Sequence, residues 1–445
     1  MVFWMYREMQ SGKNQKQIKE ILPISAQNSP QRNRAFLKNQ LSCRLEVQFL
    51  ICKIMIDRIL GKAITLAAEK MPVVAVTGPR QSGKSTLIQR LFPQYSYHNL
   101  EDIEQRKFAL SDPKGFLQNI TGKAIIDEVQ YAPDLLSYIQ VITDREKIPG
   151  QFIVSGSQNL LLMESVSQSL AGRVAIFNLL PLSLEEVFGS AQTDRVVQLS
   201  YEDFILKGFY PRIYDQNLDP TAWLLDYIQT YVERDLRQVV NVSDLGTFRQ
   251  FLEICAGRIG QLVNFSDMGN MIGVSYQTIG KWLSVLETSF IAYTLRPHHQ
   301  NFNKRIVKTP KLYFYDTGLA CALLDLRSVD DLNRHFAKGA LFENFVINEV
   351  LKNKRNRNLP PRNYFWNAAG SHEIDLLLDR GGRLMPLEIK SSRTIHPQFF
   401  KGLTYFQSLS GASPDDSYLI YGGDEVQKRS AARVLSWKNL SEIPL

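Results

Sequence analysis

The chain has 445 residues, 44% of them hydrophobic and 22% charged, and a formal net charge of +8. That length leaves room for roughly two to four domains with real cores, in the composition of an ordinary soluble protein. Without a run of about 18 apolar residues, neither a membrane-spanning helix nor a membrane partner is expected.

The first ten residues, "MVFWMYREMQ", lack the long apolar core of a secretory signal. Cys43, Cys52, Cys255 and Cys321 form no CxxC pair and no metal-ligand spacing. Free thiols in a reducing cytoplasm fit this pattern. Residues 1–54 carry nine Lys or Arg against three Asp or Glu, leaving the remaining chain at only +2. The segment 1–54 reads as a basic, poorly ordered N-terminal extension, with Met55 as the natural start.

From Met55, "MIDRILGKAITLAAEKMP" has the spacing of an amphipathic helix. Short apolar runs then alternate with helical segments. "VVAVTG", "AIIDE" and "QFIVSGS" read as buried parallel strands, which predicts an α/β, doubly wound domain over residues 55–200.

The loop "GPRQSGKST" (78–86) follows the first of these strands and leads into a helix. Gly78, Pro79, Arg80, Gln81, Ser82, Gly83, Lys84, Ser85 and Thr86 match GxxxxGK[ST] in the context that motif requires. Glycines let the backbone curl so that its N–H groups face phosphate oxygens. Lys84 is placed to reach the β and γ phosphates of ATP, and Ser85 to ligate Mg²⁺. Asp127, at the end of the second strand, is a further expected Mg²⁺ partner. Glu128 is expected to polarise the attacking water, which would make the chain an ATPase. Ser155 and Ser157 end the third strand and are candidates to sense the γ-phosphate. Arg173, in "SLAGRV", is either an arginine finger, in cis or from a neighbouring copy, or one half of a structural salt bridge.

Residues 201–300 read as helical. Within them, "NFSDMGNMIGVSYQTIGKWLSVLETSFIAYTL" (264–295) predicts a helix, a turn at Gly273, a second helix with Ile279, Trp282 and Leu283 inward, and a strand. That is the order of a winged helix-turn-helix. Its second helix is poor in basic groups for a DNA reader, with Asn264, Gln277 and Lys281 the polar candidates. Residues 301–337 are expected to connect. The basic runs "NKRIVKTPK" (303–311) and "KNKRNRNLPPR" (352–362) are either solvated loops or nucleic-acid contacts. Residues 338–445 open with the helix "GALFENFVINEVL". A hairpin follows, Ile374–Leu378 and Leu384–Ile389 about a Gly381-Gly382 turn, bringing Asp375, Glu388 and Lys390 near one another.

The pieces "GPRQSGKSTL", "AIIDEVQ", "VSGSQ", "SLAGRV", "LLPLSLEE", "KTPKLYFYDTGLA", "GALFENFVINEVL" and "EIDLLL…LEIKSS" occur in order between about residue 56 and 395. Together they resemble the prokaryotic AAA-type ATP-binding proteins that carry a C-terminal domain of unknown function. The resemblance implies an AAA ATPase, a winged-helix segment and an α/β restriction-endonuclease-like end. In that last fold Glu343, Asp375, Glu388 and Lys390 fill the four polar positions of a nuclease motif. Asp375 and Glu388 would bind a second Mg²⁺ or Mn²⁺, Glu343 would assist it, and Lys390 would position a water. An active nuclease, an inactive nuclease-like module and an unrelated hairpin all remain open. Three functions follow: an ATPase controlling a nucleic-acid-binding or processing end, an ATP-gated nuclease on DNA or RNA, and a nucleotide-driven switch that binds a protein partner. A homo-oligomer is compatible with each.

Overall fold

Three apolar runs, Val73–Thr77 (β1), Ala124–Asp127 (β3) and Phe152–Gly156 (β4), are buried at every position. Strands with that pattern are stable only when covered on both faces. In the computed structural model, which describes residues 56–157, 170–189, 198–231, 245–298, 308–368 and 372–445, they form the middle of a five-stranded sheet. Ser96–Asn99 (β2) and Val174–Asn178 (β5) are its edges. The order is β2-β3-β4-β1-β5, and every pairing is parallel. Helices Gly61–Ala68 (α1), Lys84–Leu91 (α2), Ile103–Ser111 (α3), Pro113–Gln118 (α4) and Leu135–Glu146 (α5) accompany it. The expected extension 1–54, with Cys43 and Cys52, lies outside the described residues.

The short helix Leu184–Phe188 (α6) starts at a capping box: Ser183 accepts from Glu186 N, and the Glu186 carboxylate accepts from Ser183 N. Helices Tyr201–Lys207 (α7), Pro211–Asp215 (α8), Pro220–Tyr227 (α9) and Leu245–Gly257 (α10) follow. Phe265–Ile272 (α11) is capped by Asn264 and ends at Gly273, whose φ of 73° is the left-handed conformation a chain reversal there requires. Tyr276–Thr288 (α12) buries Ile279, Trp282, Leu283 and Leu286. Ala292–Leu295 (β6) then pairs antiparallel with Lys311–Phe314 (β7). Asp316 caps Thr317–Leu323 (α13), and Val329–Arg334 (α14) precedes the 19-residue helix Lys338–Asn356 (α15).

The C-terminal part is a mixed six-stranded sheet. Its strands are Asn363–Asn367 (β8), Glu373–Arg380 (β9), Arg383–Lys390 (β10), Tyr418–Tyr421 (β11), Gln427–Lys428 (β12) and Arg433–Ser436 (β13), in the order β12-β13-β11-β10-β9-β8. The expected hairpin is β9–β10, antiparallel about Gly381 and Gly382. Strand β8 lies between α15 and the hairpin. Lys401–Ser410 (α16) covers the sheet.

The expected connector carries secondary structure of its own. Its described part holds β7, α13 and α14, with Leu312, Tyr313, Phe314, Leu319, Ala320 and Leu332 buried. They belong to one apolar core running from Leu182 and Leu184 through the middle helices to Leu387, Ile420 and Trp437. Residues 56–445 form one compact unit. The basic run 352–362 is likewise no free loop over its first half. Lys352 pairs with Glu349 at 2.8 Å, Lys354 donates to Asn363 at 2.8 Å, and Arg357 pairs with Glu185 at 2.8 Å.

Candidate active site

The loop 78–83 leaves the carboxyl end of β1 and delivers Lys84 to the first turn of α2. At Gly78, φ is 149° and the Leu179 carbonyl occupies the place a Cβ would take, so only glycine lets β1 turn there. Gly83, the N-cap of α2, is left-handed at φ 89°. The Lys84 ammonium donates to the carbonyls of Gly78 and Pro79, at 3.0 and 2.9 Å. Burial pushes its pKa down, opposed by the Glu128 and Asp127 carboxylates. The Ser82 hydroxyl is buried without a hydrogen-bond partner in the same loop. Arg80 donates to the Tyr131 hydroxyl at 3.3 Å and lies over the Tyr231 ring.

Asp127 closes β3 beside this loop. Its carboxylate accepts from the Tyr97 hydroxyl at 2.6 Å and from the Ser155 hydroxyl. The Tyr97 hydroxyl also faces Ser85 and Gln89. A hydroxyl and a carboxylate therefore flank one polar atom, and oxygens of these two kinds suit a small hard cation such as Mg²⁺. Burial and the Asp127 carboxylate push the Tyr97 phenol up, so at neutral pH it donates rather than accepts as a phenolate. Glu128 has φ 55°, a left-handed backbone for a residue with a side chain. Its carboxylate is held by the Ser157 backbone N–H at 3.3 Å, the Ser157 hydroxyl at 3.1 Å and the Gln130 amide.

Thus Lys84, Ser85, Asp127, Glu128, Ser155 and Ser157 meet at the carboxyl ends of the central strands β1, β3 and β4. Arg173 does not join them. It precedes β5 at the amino end of β1, where the Val73 N–H donates to its carbonyl. The P-loop sits at the other end of β1, roughly 15 Å away for a five-residue strand. Arg173 instead makes a two-pronged salt bridge to Asp144 of α5. The finger in cis is thereby corrected to the salt bridge.

Arg58, Tyr97 and Gln130 were not expected at this site. Gln130 stands two residues beyond Glu128, and an amide at that spacing could have been suspected. Tyr97 and Arg58 carry no local signal.

The second constellation lies on the β9–β10 hairpin. The Lys390 ammonium reaches Asp375 at 3.2 Å and Glu388 at 2.6 Å. Asp375 also accepts from Ile389 N at 2.7 Å. Burial draws Lys390 down, but Asp375 and Glu388 push it above the ordinary lysine value. Glu388 is raised by burial and by the neighbouring Asp375, and its second oxygen is buried without a partner. Glu343 of α15 turns to different partners: the Tyr313 hydroxyl at 2.5 Å and Lys311 at 3.3 Å, with Lys311 also bridging to Glu373. Lys311 and Glu373 are thus additional members of the cluster. Among the described residues, no group of three or more His, Cys, Asp or Glu side chains is arranged to hold a metal ion. Likewise, none of their helices is long and apolar enough to cross a membrane.

Known proteins match the chain in three consecutive blocks. An AAA domain matches residues 70–188, a domain of unknown function (DUF8612) residues 198–330, and another (DUF4143) residues 338–440. The AAA match covers the parallel sheet and the phosphate-binding loop, so residues 70–188 form an AAA-type P-loop domain. Uncharacterized protein Rv2008c of Mycobacterium tuberculosis and Uncharacterized protein Mb2031c of Mycobacterium bovis are each 31% identical to it over 348 residues, 77% of this chain and 76% of theirs. The chain belongs to the same family as these two mycobacterial proteins. An uncharacterized protein of Haemophilus influenzae is 25% identical, over 71% of this chain and 82% of its own. Among solved structures, the Walker-type ATPase PABY2304 of Pyrococcus abyssi aligns with 61% of this chain and 96% of its own, at 15% identity and a TM-score of 0.41. The RuvB Holliday junction branch migration motor of Thermotoga maritima aligns with 60% and 92%, at 18% and 0.28. Similarities this low do not bear on the site.

Proposed function

We propose that the chain hydrolyses ATP at residues 78–86 and that nucleotide state controls a C-terminal domain that binds or processes nucleic acid. The observation carrying this reading is the convergence of Lys84, Ser85, Asp127 and Glu128 at the carboxyl ends of β1 and β3. Loop N–H groups and Lys84 would hold the phosphates, with Ser85 and Asp127 holding Mg²⁺. Mg²⁺ would neutralise charge on the phosphate oxygens. Glu128, aimed by Ser157 and Gln130, would orient the water and take its proton. Ser155, donating to Asp127, would fix that carboxylate. Arg173 would serve a nucleotide only from a second copy in a homo-oligomer.

The experiment compares wild type with Glu128→Gln. The amide keeps the shape but cannot accept a proton, so ATP affinity should be retained while turnover falls at least about a hundredfold. Wild-type turnover in the variant would move the base elsewhere.

The coupling half of the proposal is supported by direct bonds between the ATPase end and α15. The Leu184 N–H donates to Glu349 at 2.7 Å, and Glu185 pairs with Arg357.

A second reading, a metal-dependent nuclease, is favoured by Asp375, Glu388 and Lys390 meeting on one hairpin. Its test is cleavage of DNA and RNA with Mg²⁺ or Mn²⁺, with and without ATP. Asp375→Asn should abolish cleavage and leave ATP turnover intact, and absence of cleavage by wild type under every metal would sink this reading. A protein-binding switch is favoured by Phe265, Met271 and Tyr276, apolar side chains exposed on α11 and α12 while Asn264 is spent as a cap. Capture of a protein that depends on ATP, without nucleic-acid binding, would replace the lead reading with this one.

A further inference from the structure

We propose that Arg58 is a positioning residue of the phosphate-binding loop, aiming a backbone N–H of that loop at the nucleotide; this rests on residues 78–86 being the ATP site. Arg58 lies before α1, well upstream of the motif, and its side chain is only 6% exposed. Its guanidinium donates to three segments at once. One terminal nitrogen reaches the Ser82 carbonyl at 2.7 Å, the other the Leu180 carbonyl at 2.6 Å, and Nε the Glu186 carboxylate at 3.1 Å. Glu186 is itself fixed by Ile59 N at 2.9 Å and by the capping box of α6.

The consequence follows from peptide geometry. The described peptides are all trans, and in a trans peptide the C=O and the following N–H point in opposite directions. Holding the Ser82 oxygen toward Arg58 therefore turns the Gly83 N–H away from it, to the side where the loop amides receive phosphate. Gly83 has no Cβ, so its own sterics do little to fix the orientation of this peptide. The second prong ties the loop to Leu180, next to the Leu179 carbonyl that crowds Gly78. Both ends of the loop are thus referenced to one buried cation. A lysine cannot replace that fork, because its charge ends at a single nitrogen.

The test is a titration of Arg58→Lys with ATP and with ADP, alongside unfolding of the nucleotide-free protein. Both affinities should fall in parallel by about tenfold, as for loss of one well-aimed hydrogen bond to a charged group, with kcat at saturating ATP changed less. A merely structural Arg58 would lower the melting temperature and leave the affinities of the folded protein alone. Wild-type affinities in folded Arg58→Lys overturn the proposal. Should that variant fail to fold, Glu186→Gln decides, since it loosens the Nε anchor while keeping shape. A rise of about threefold in both dissociation constants supports the proposal, and unchanged constants overturn it. Lys84→Ala is run beside them. If it too binds ATP normally, the ATP-site reading itself has failed, and the proposal with it.

Discussion

Glu128 holds its backbone in a region that costs a residue with a side chain roughly 1–3 kcal/mol. Three hydrogen-bond donors converge on its carboxylate and hold the strained arrangement in place. Asp215, at the end of α8, has the opposite problem. One of its carboxylate oxygens is buried without a partner, and burial pushes its pKa up to about 6. A folded-state value above the unfolded one means that the folded chain binds this proton more tightly. The associated stability is complete below pH 4 and is lost as pH rises through 6. Asp215→Asn removes that dependence. Thermal unfolding should show the variant more stable than wild type at pH 7, by about 1 kcal/mol after screening of a half-buried group, with the gain vanishing near pH 4. An equal gain at both pH values would show that ionisation of Asp215 is not the cause. Other residues differ in how much of their role is written locally. The loop 78–86 is legible because its chemistry lies in consecutive residues. Arg58 is not, because its partners stand 24, 122 and 128 residues further along the chain.

At the level of elements, β1, β3, β4 and the β9–β10 hairpin could be read from their apolar runs, because buried strands admit little else. Strand β2 could not. As an edge strand it reads "SYHN" and is only partly buried, so its sequence carries no apolar run. Strand β5, Val174–Asn178, is likewise an edge strand and mostly only partly buried, so its pattern is weak. The basic run 303–311 reads as a solvated loop or a nucleic-acid contact, yet Lys311 at its end is buried because Glu343 and Glu373 surround its ammonium. Pattern reading assumes that a lysine faces water, and a pair supplied from distant elements overrides that. Helix α15 was expected, but not the burial of its polar side chains. Asn344 there exchanges two hydrogen bonds with the backbone of Phe314, at 2.9 and 2.8 Å, so a buried polar side chain does the work of a sheet partner.

Across the whole molecule, α15 links the two constellations. Glu343 lies near its amino end, beside the hairpin cluster. Glu349, further along it, and Arg357, just past its end, bond to Leu184 and Glu185, directly beside the Glu186 that anchors Arg58. These bonds join packed elements of one core, the physical condition for nucleotide at the P-loop to bias the C-terminal sheet. Coupling of this kind could not be read from separate motifs, because it resides in pairs between residues up to 172 positions apart. It is tested most directly by amide hydrogen exchange on Glu128→Gln, with and without saturating ATP and Mg²⁺. The predicted result is slower exchange not only across residues 78–131 but also in α6, along 338–356 and in the hairpin 373–390. Protection confined to residues 78–131, with α15 and the hairpin exchanging as in the nucleotide-free protein, would contradict the coupling.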